Sequence, residues 1–177
     1  MRQAILFSLV VLLGLSTAYA DDEPEATETD QTAPVEVLTA QVVSVEGDVQ
    51  YRDGSVPIED SPFQALEAGM ELDERTLIVT GLRSEAVLNF PNQGEIIIRA
   101  LTSVGISSFR QQGDQYQTQV GMKYGSARMR VDPDRAAGEF TVATPVATAA
   151  PTQSWGDLGF SDFGAAFNCV HGFFVWY

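Results

Sequence analysis

Between Thr80 and Arg99 the order of apolar and polar residues admits one simple solution, a pair of strands that fold back on each other. Ala86, Leu88 and Phe90 alternate with Glu85, Val87 and Asn89, the two-residue period of a strand with one buried face. Pro91, Asn92, Gln93 and Gly94 supply a turn, and Ile96, Ile97 and Ile98 follow as a β-branched run. The spacing predicts a β-hairpin with a four-residue connection and one wet face. The same grammar, short alternating strands punctuated by glycine, repeats from Val42 to Thr144 and leaves no room for a long helix.

Val43 and Val45 share a face before the Glu46-Gly47-Asp48 turn, and Val49 and Tyr51 resume the strand up to Asp53-Gly54. Pro62 to Gly69 holds Phe63 and Leu66 and predicts one short helical turn closed by Gly69. Leu77 to Thr80 is a further strand, and Ser103 to Ser107 another around Val104 and Ile106. Tyr116, Thr118, Val120, Met122 and Tyr124 mark one face of the next strand. After Gly125, Ala127, Met129 and Val131 alternate with Ser126, Arg128 and Arg130. Asp132 to Gly138 is a polar loop, and Phe140, Val142 and Thr144 form a strand stopped by Pro145. About eight to ten short strands at this spacing predict an all-β chain, a compact antiparallel β-sandwich or β-roll.

The two ends read differently from this middle. Met1, Arg2 and Gln3 precede an apolar core from Ala4 to Leu15, and Ala18-Tyr19-Ala20 gives a small-x-small cleavage pattern. As a helix that core would span about 18 Å, against a hydrocarbon thickness of roughly 30 Å. Residues 1–20 are therefore expected to be a signal peptide cleaved after Ala20, leaving no stable membrane span and a periplasmic or secreted product. Residues 21–36 carry Asp21, Asp22, Glu23, Glu25, Glu28, Asp30 and Glu36 with no base and no aromatic, the composition of an acidic disordered linker.

A formal net charge of −14 over 177 residues repels a phosphate backbone, which excludes nucleic acid as a partner. One cysteine, Cys169, rules out a disulfide framework. Cys169 and His171 lie two apart, yet a metal site needs three or four ligands, and a Cys-His nucleophile needs an orienting group and oxyanion donors. Glu59 with Asp60, Asp73 with Glu74, and Asp132 with Asp134 sit beside turn residues, as solvated loop acids do. No glycine opens a helix with phosphate-cradling spacing. The chain is accordingly expected to be no enzyme, with no cofactor and no metal. Arg128 and Arg130 on one strand face, with Lys123 nearby, form the local basic cluster. An ordinary wet sheet face accounts for them; a contact surface for an acidic partner is the functional alternative, which makes Lys123, Arg128 and Arg130 the candidate partner contacts.

Taken in order, the strands and glycines from Val42 to Ala150 resemble the FecR domain of bacterial cell envelopes. The landmarks are Val45, Glu46, Gly47 and Val49; Leu66, Gly69 and Leu72; and Ile78, Thr80, Gly81, Ser84, Ala86, Leu88, Phe90 and Gly94. Gly125 before Val131, then Phe140, Val142, Thr144 and Pro145, complete the set. The resemblance places a FecR-like β domain at residues 37–150. Founding members of that family hold a sigma factor inside the inner membrane and a ferric-siderophore receptor outside it. With no cytoplasmic segment ahead of the apolar stretch, this chain resembles only the exported module. The resemblance implies a protein-binding or scaffold role in the envelope, with another envelope protein as partner and an exported glycan- or small-ligand-binding module as the alternative. For that alternative, Tyr51, Tyr116 and Tyr124 are the aromatic candidates.

The family commonly continues Val-Arg-Gly-Thr after the Thr-Pro step, where Ala149, Ala150, Pro151 and Thr152 stand here. Residues 151–177 form an atypical aromatic-rich tail with Trp155, Phe160, Phe163, Phe167, Phe173, Phe174, Trp176 and Tyr177 against only two charges, Asp157 and Asp162. An apolar lid or final strand, a terminal aromatic signal like those of outer-membrane barrels, and an out-of-frame or truncated end are the three accounts of it. The barrel account lacks a series of roughly ten-residue strands with an apolar outward face.

Overall fold

A computed structural model describes residues 33–131, 134, 138–162 and 164–176 of the chain. The expected signal peptide and residues 21–32 of the acidic leader lie outside the described residues, as do Asp132 and most of the loop after it, while Val35 and Glu36, expected at the end of that disordered leader, lie in a strand paired with Gln112 and Gln111.

Alternation becomes strand wherever the sequence carries it. β1 (Val35–Val37), β2 (Ala40–Glu46) and β3 (Val49–Asp53) lead into the two-residue strands β4 (Gln64–Ala65) and β5 (Glu71–Leu72). β6 (Thr76–Thr80), β7 (Glu85–Phe90), β8 (Gly94–Ile98) and β9 (Ser103–Gln112) follow. The long β10 (Gln115–Val131) comes next, then β11 (Gly138–Ala143), β12 (Thr148–Ser161) and β13 (Gly164–Trp176). No helix occurs among the described residues. The all-β class holds, with more strands than the sequence suggested, because β1, β4 and β5 are too short to show a period and two long strands follow Thr148.

The hairpin expected between Thr80 and Arg99 is β7 with β8. Phe90 pairs with Gly94, so the connection has three residues rather than four, with Asn92 in the left-handed region at φ +62°. Ala86, Leu88, Phe90, Ile96 and Ile98 all point into the core.

The sheet path runs β4-β3-β6-β9-β10-β8-β7-β2-β5. Its two ends are consecutive in the chain, and the segment joining them bonds to both sides: Leu66 N–H donates to Val49 O at 2.9 Å, and Gly69 N–H to Val42 O at 2.8 Å. These cross-sheet bonds replace the helical turn expected at Pro62 to Gly69, whose amides find carbonyls on other strands instead of on their own preceding turn. They also cover what would be open edges. Curling brings distant strands together inside. β7 and β9 are three places apart, about 14 Å in a flat sheet, yet the Phe90 and Phe109 rings meet edge to face at 5.3 Å, and Phe140 of β11 meets Phe90 at 5.5 Å. One core of apolar side chains results, drawn from β2 through β12.

β10 is the hub. Its first half pairs with β9, and Tyr116–Gly121 also run parallel to β11, a departure from the purely antiparallel expectation. Its second half lies between β8 and β12. Among the described residues β13 pairs with β12 only, so the aromatic-rich segment forms the two strands of a hairpin.

Candidate functional site

Buried positions on β10 change phase at Gly125. Thr118, Val120 and Met122 face the core before it and Ala127, Met129 and Val131 after it. Gly125 makes this possible with φ +104°, and a side chain there would collide with Thr102, whose hydroxyl accepts a hydrogen bond from Ser126 N–H at 2.9 Å. Tyr124, which its spacing places on one face with Val120 and Met122, is consequently exposed. The outward face of β10 carries Gly121 and Lys123 on one side of the switch and Arg128 and Arg130 on the other.

Arg128 is paired across the sheet with Asp157 of β12. Its Nε reaches Oδ1 at 3.0 Å and its Nη2 reaches Oδ2 at 3.1 Å, a bidentate contact, while Arg99 Nη2 reaches the same Oδ1 at 2.9 Å. The Arg128 guanidinium also lies 5.6 Å from the Trp155 ring centre. The hydrogen bond from Arg128, helped by the charge of Arg99, holds the Asp157 carboxyl below its usual range against the opposing effect of burial. In return Asp157 pushes the Arg128 guanidinium up. Arg128 is thus a bolt between β10 and β12. Beside it lies an open depression of about 450 Å³ with Arg83, Arg99, Glu46 and Glu85 on its walls, both signs of charge together.

The sequence-predicted cluster therefore divides. Arg130 is exposed, between Glu95 on β8 and Trp155 on β12. Lys123 is exposed five residues before Arg128, about 16 Å away at roughly 3.3 Å per residue. Sequence reading missed Arg99 and Asp157, which stand 58 positions apart and meet only through the β8-β10-β12 register. It also misread Glu74. Expected as a solvated loop acid, Glu74 accepts hydrogen bonds from Ser108 Oγ, Phe109 N–H and Arg110 Nε and Nη2 at 3.1, 3.1, 2.7 and 3.0 Å. Those bonds, Arg110's foremost, hold its carboxyl below the usual range, and they tie the turn before β6 to β9. Asp73 and the Glu59-Asp60 pair are exposed, and Asp132 lies outside the described residues.

Tyr51, Tyr116 and Tyr124 form no shared platform. Tyr51 packs on the core from β3, and Tyr116 and Tyr124 are about 26 Å apart along β10. Tyr116 instead borders a cleft of about 340 Å³ at the β9-β10 hairpin, with Gln111, Gln112, Gln115 and Gln117 around it. Cys169 and His171 are both exposed on β13. A register shift lies between their partners Gly156 and Trp155, which disturbs the simple alternation expected of them. Among the described residues no three histidine, cysteine or acidic side chains gather as metal ligands do.

The protein-family model described as FecR protein matches residues 76–171, from the start of β6 to His171 of β13. That span begins later than the resemblance read from Val42 and runs on into the aromatic-rich hairpin. No curated protein and no solved structure matches the chain. With more than half of its length matched by that model, the chain belongs to the FecR family.

Proposed function

We propose that this chain is an exported, non-catalytic module that holds another protein of the cell envelope through a sheet edge. The observation that carries the reading is β13, which among the described residues pairs with β12 only and carries no Asp, Glu, Lys or Arg from Gly164 to Trp176 in a chain of net charge −14. Natural sheets guard such edges with lysine, proline or short length, because an unpaired row of N–H and C=O groups is a template for another strand. A long uncharged edge suits strand addition, in which main-chain bonds give affinity and alternate side chains give specificity. Membership of a family linked to the regulation of signalling favours a contact role over catalysis.

A photo-crosslinking residue in place of exposed Val170 is expected to give a discrete adduct with one envelope protein in living cells, and the same residue at exposed Ile58 none. Equal labelling at the two positions, or none at Val170, would remove the edge from the account. The glycan reading rests on the glutamine-lined cleft beside Tyr116, where amides and a ring offer hydrogen bonds and stacking to a neutral sugar. It predicts retention on immobilised cell-wall polysaccharide that Gln115→Ala with Gln117→Ala abolishes, and it requires no adduct at Val170.

A further inference from the structure

β13 keeps an unbroken register with β12 from Gly164, opposite Ser161, to Cys169, opposite Gly156, and the register then shifts between Cys169 and His171. A shift of this kind gives one strand an extra residue, bends it and raises its twist, so the far half of β13 turns out of the plane of the near half. The regular part of the strand is the six-residue stretch Gly164–Cys169. It has no second neighbouring strand among the described residues, and Ala166 and Asn168 on it are exposed.

Charge decides what can lie beside that stretch. From Thr148 to Trp176 the only Asp, Glu, Lys or Arg residues are Asp157 and Asp162, and Asp157 is held between Arg99 and Arg128. Two copies of a chain of net charge −14 repel each other, and the repulsion is weakest where acids are fewest. The same strand offers no cation or carboxylate that would select a partner of either sign. It is the part of the molecule that its own duplicate can approach. Two such edges related by a dyad pair antiparallel, an isologous contact that closes at two copies instead of building a fibre.

We infer that a second copy of this chain covers the edge, with Gly164–Cys169 of each copy paired antiparallel across a dyad. The inference rests on the strand-addition reading of β13 and adds what occupies the edge while no envelope partner does. A strand without lysine, proline or short length to guard it is guarded by its duplicate. Dimer and partner complex use the same stretch, so each excludes the other, and dissociation of the dimer sets how much edge is available for binding.

The test is sedimentation velocity of the protein purified from an exporting cell, with reductant present so that Cys169 forms no covalent link. A monomer–dimer equilibrium in the micromolar range is expected. Raising salt from about 20 to about 200 mM should tighten it, because screening removes the repulsion between two acidic bodies and the contact has no ion pair to lose. A symmetric pairing of the stretch puts Ala166 of one copy opposite or diagonal to Ala166 of the other. Ala166→Glu and Ala166→Lys should therefore each weaken the dimer about fivefold, and an equimolar mixture of the two should regain at least the unaltered affinity. The salt response of the unaltered protein stands as the second measurement should either variant fail to fold. A monomer at every concentration, a dimer that weakens as salt rises, or folded variants that dimerise like the unaltered protein would each overturn the proposal. A monomer that still gives a Val170 adduct with an envelope protein removes the self-pairing and keeps the partner; a dimer whose Val170 adducts are all to a second copy keeps the self-pairing and removes the partner.

Discussion

On the C-terminal half of β10, Arg128 is clamped by Asp157 and lies over Trp155, whereas on the N-terminal half Lys123 stands beside Gly105 and Gly121 with no ion pair to any described residue. Both cations face outward on one strand of one sheet. The first has its donors turned inward, onto a carboxylate that needs them; the second has its charge available. A basic residue on a wet strand face is therefore informative about binding only after its cross-strand partner is known. Gly125 marks the boundary, since the change of phase there lets both halves present their cations on the same side.

The largest effect expected from disturbing this division comes at the boundary. Gly125→Ala forces a side chain into Thr102 at a left-handed φ and should destabilise the fold by on the order of 2–4 kcal/mol in urea unfolding. If the loss were a few tenths instead, the two halves would not depend on the switch. Removing the bolt comes next. Asp157→Asn strips Arg99 and Arg128 of their shared partner and should cost about 1 kcal/mol at neutral pH. Asp157 has its folded pKa depressed below the ordinary 3.8, so its contribution is complete above that value and is lost as pH falls through the lower folded one. The variant should accordingly match the unaltered protein in strong acid, diverge from it as pH rises towards about 4, and keep a constant difference above that. A constant difference at every pH would point to lost packing rather than lost charge.

The smallest effect on stability separates the two cations directly. Lys123→Gln should shift the unfolding free energy by less than about 0.5 kcal/mol, while Arg128→Gln lowers it measurably because Asp157 loses its bidentate partner. Equal shifts would erase the distinction between a clamped and an available charge.

What was legible in the sequence is local, and what was not is long-range. The alternation of Glu85 to Phe90 and the isoleucines of β8 specify inward and outward faces by themselves, because strand period is set by neighbouring residues. The same local logic misled at Gly125, which resembles a strand break in sequence and is a phase switch inside a 17-residue strand. It misled again at Pro62 to Gly69, where turn residues and spaced apolar positions fit a helical turn until the carbonyls of Val42 and Val49 are seen to be within reach. Arg128 and Arg130 were found because they alternate. Asp157, Arg99 and the facing pair of Gly105 and Gly121 were not, since register between strands distant in the chain is written nowhere in the local pattern.

The account turns on Arg128 being held by Asp157 while Lys123 is not, and a double-mutant cycle of Arg128→Gln with Asp157→Asn in urea unfolding tests that most directly. The two changes should fall short of additivity by about 0.5–1 kcal/mol, whereas Lys123→Gln with Asp157→Asn should add to within about 0.3 kcal/mol. Additive losses for Arg128 with Asp157 would contradict the clamp and leave no difference between the two halves of β10.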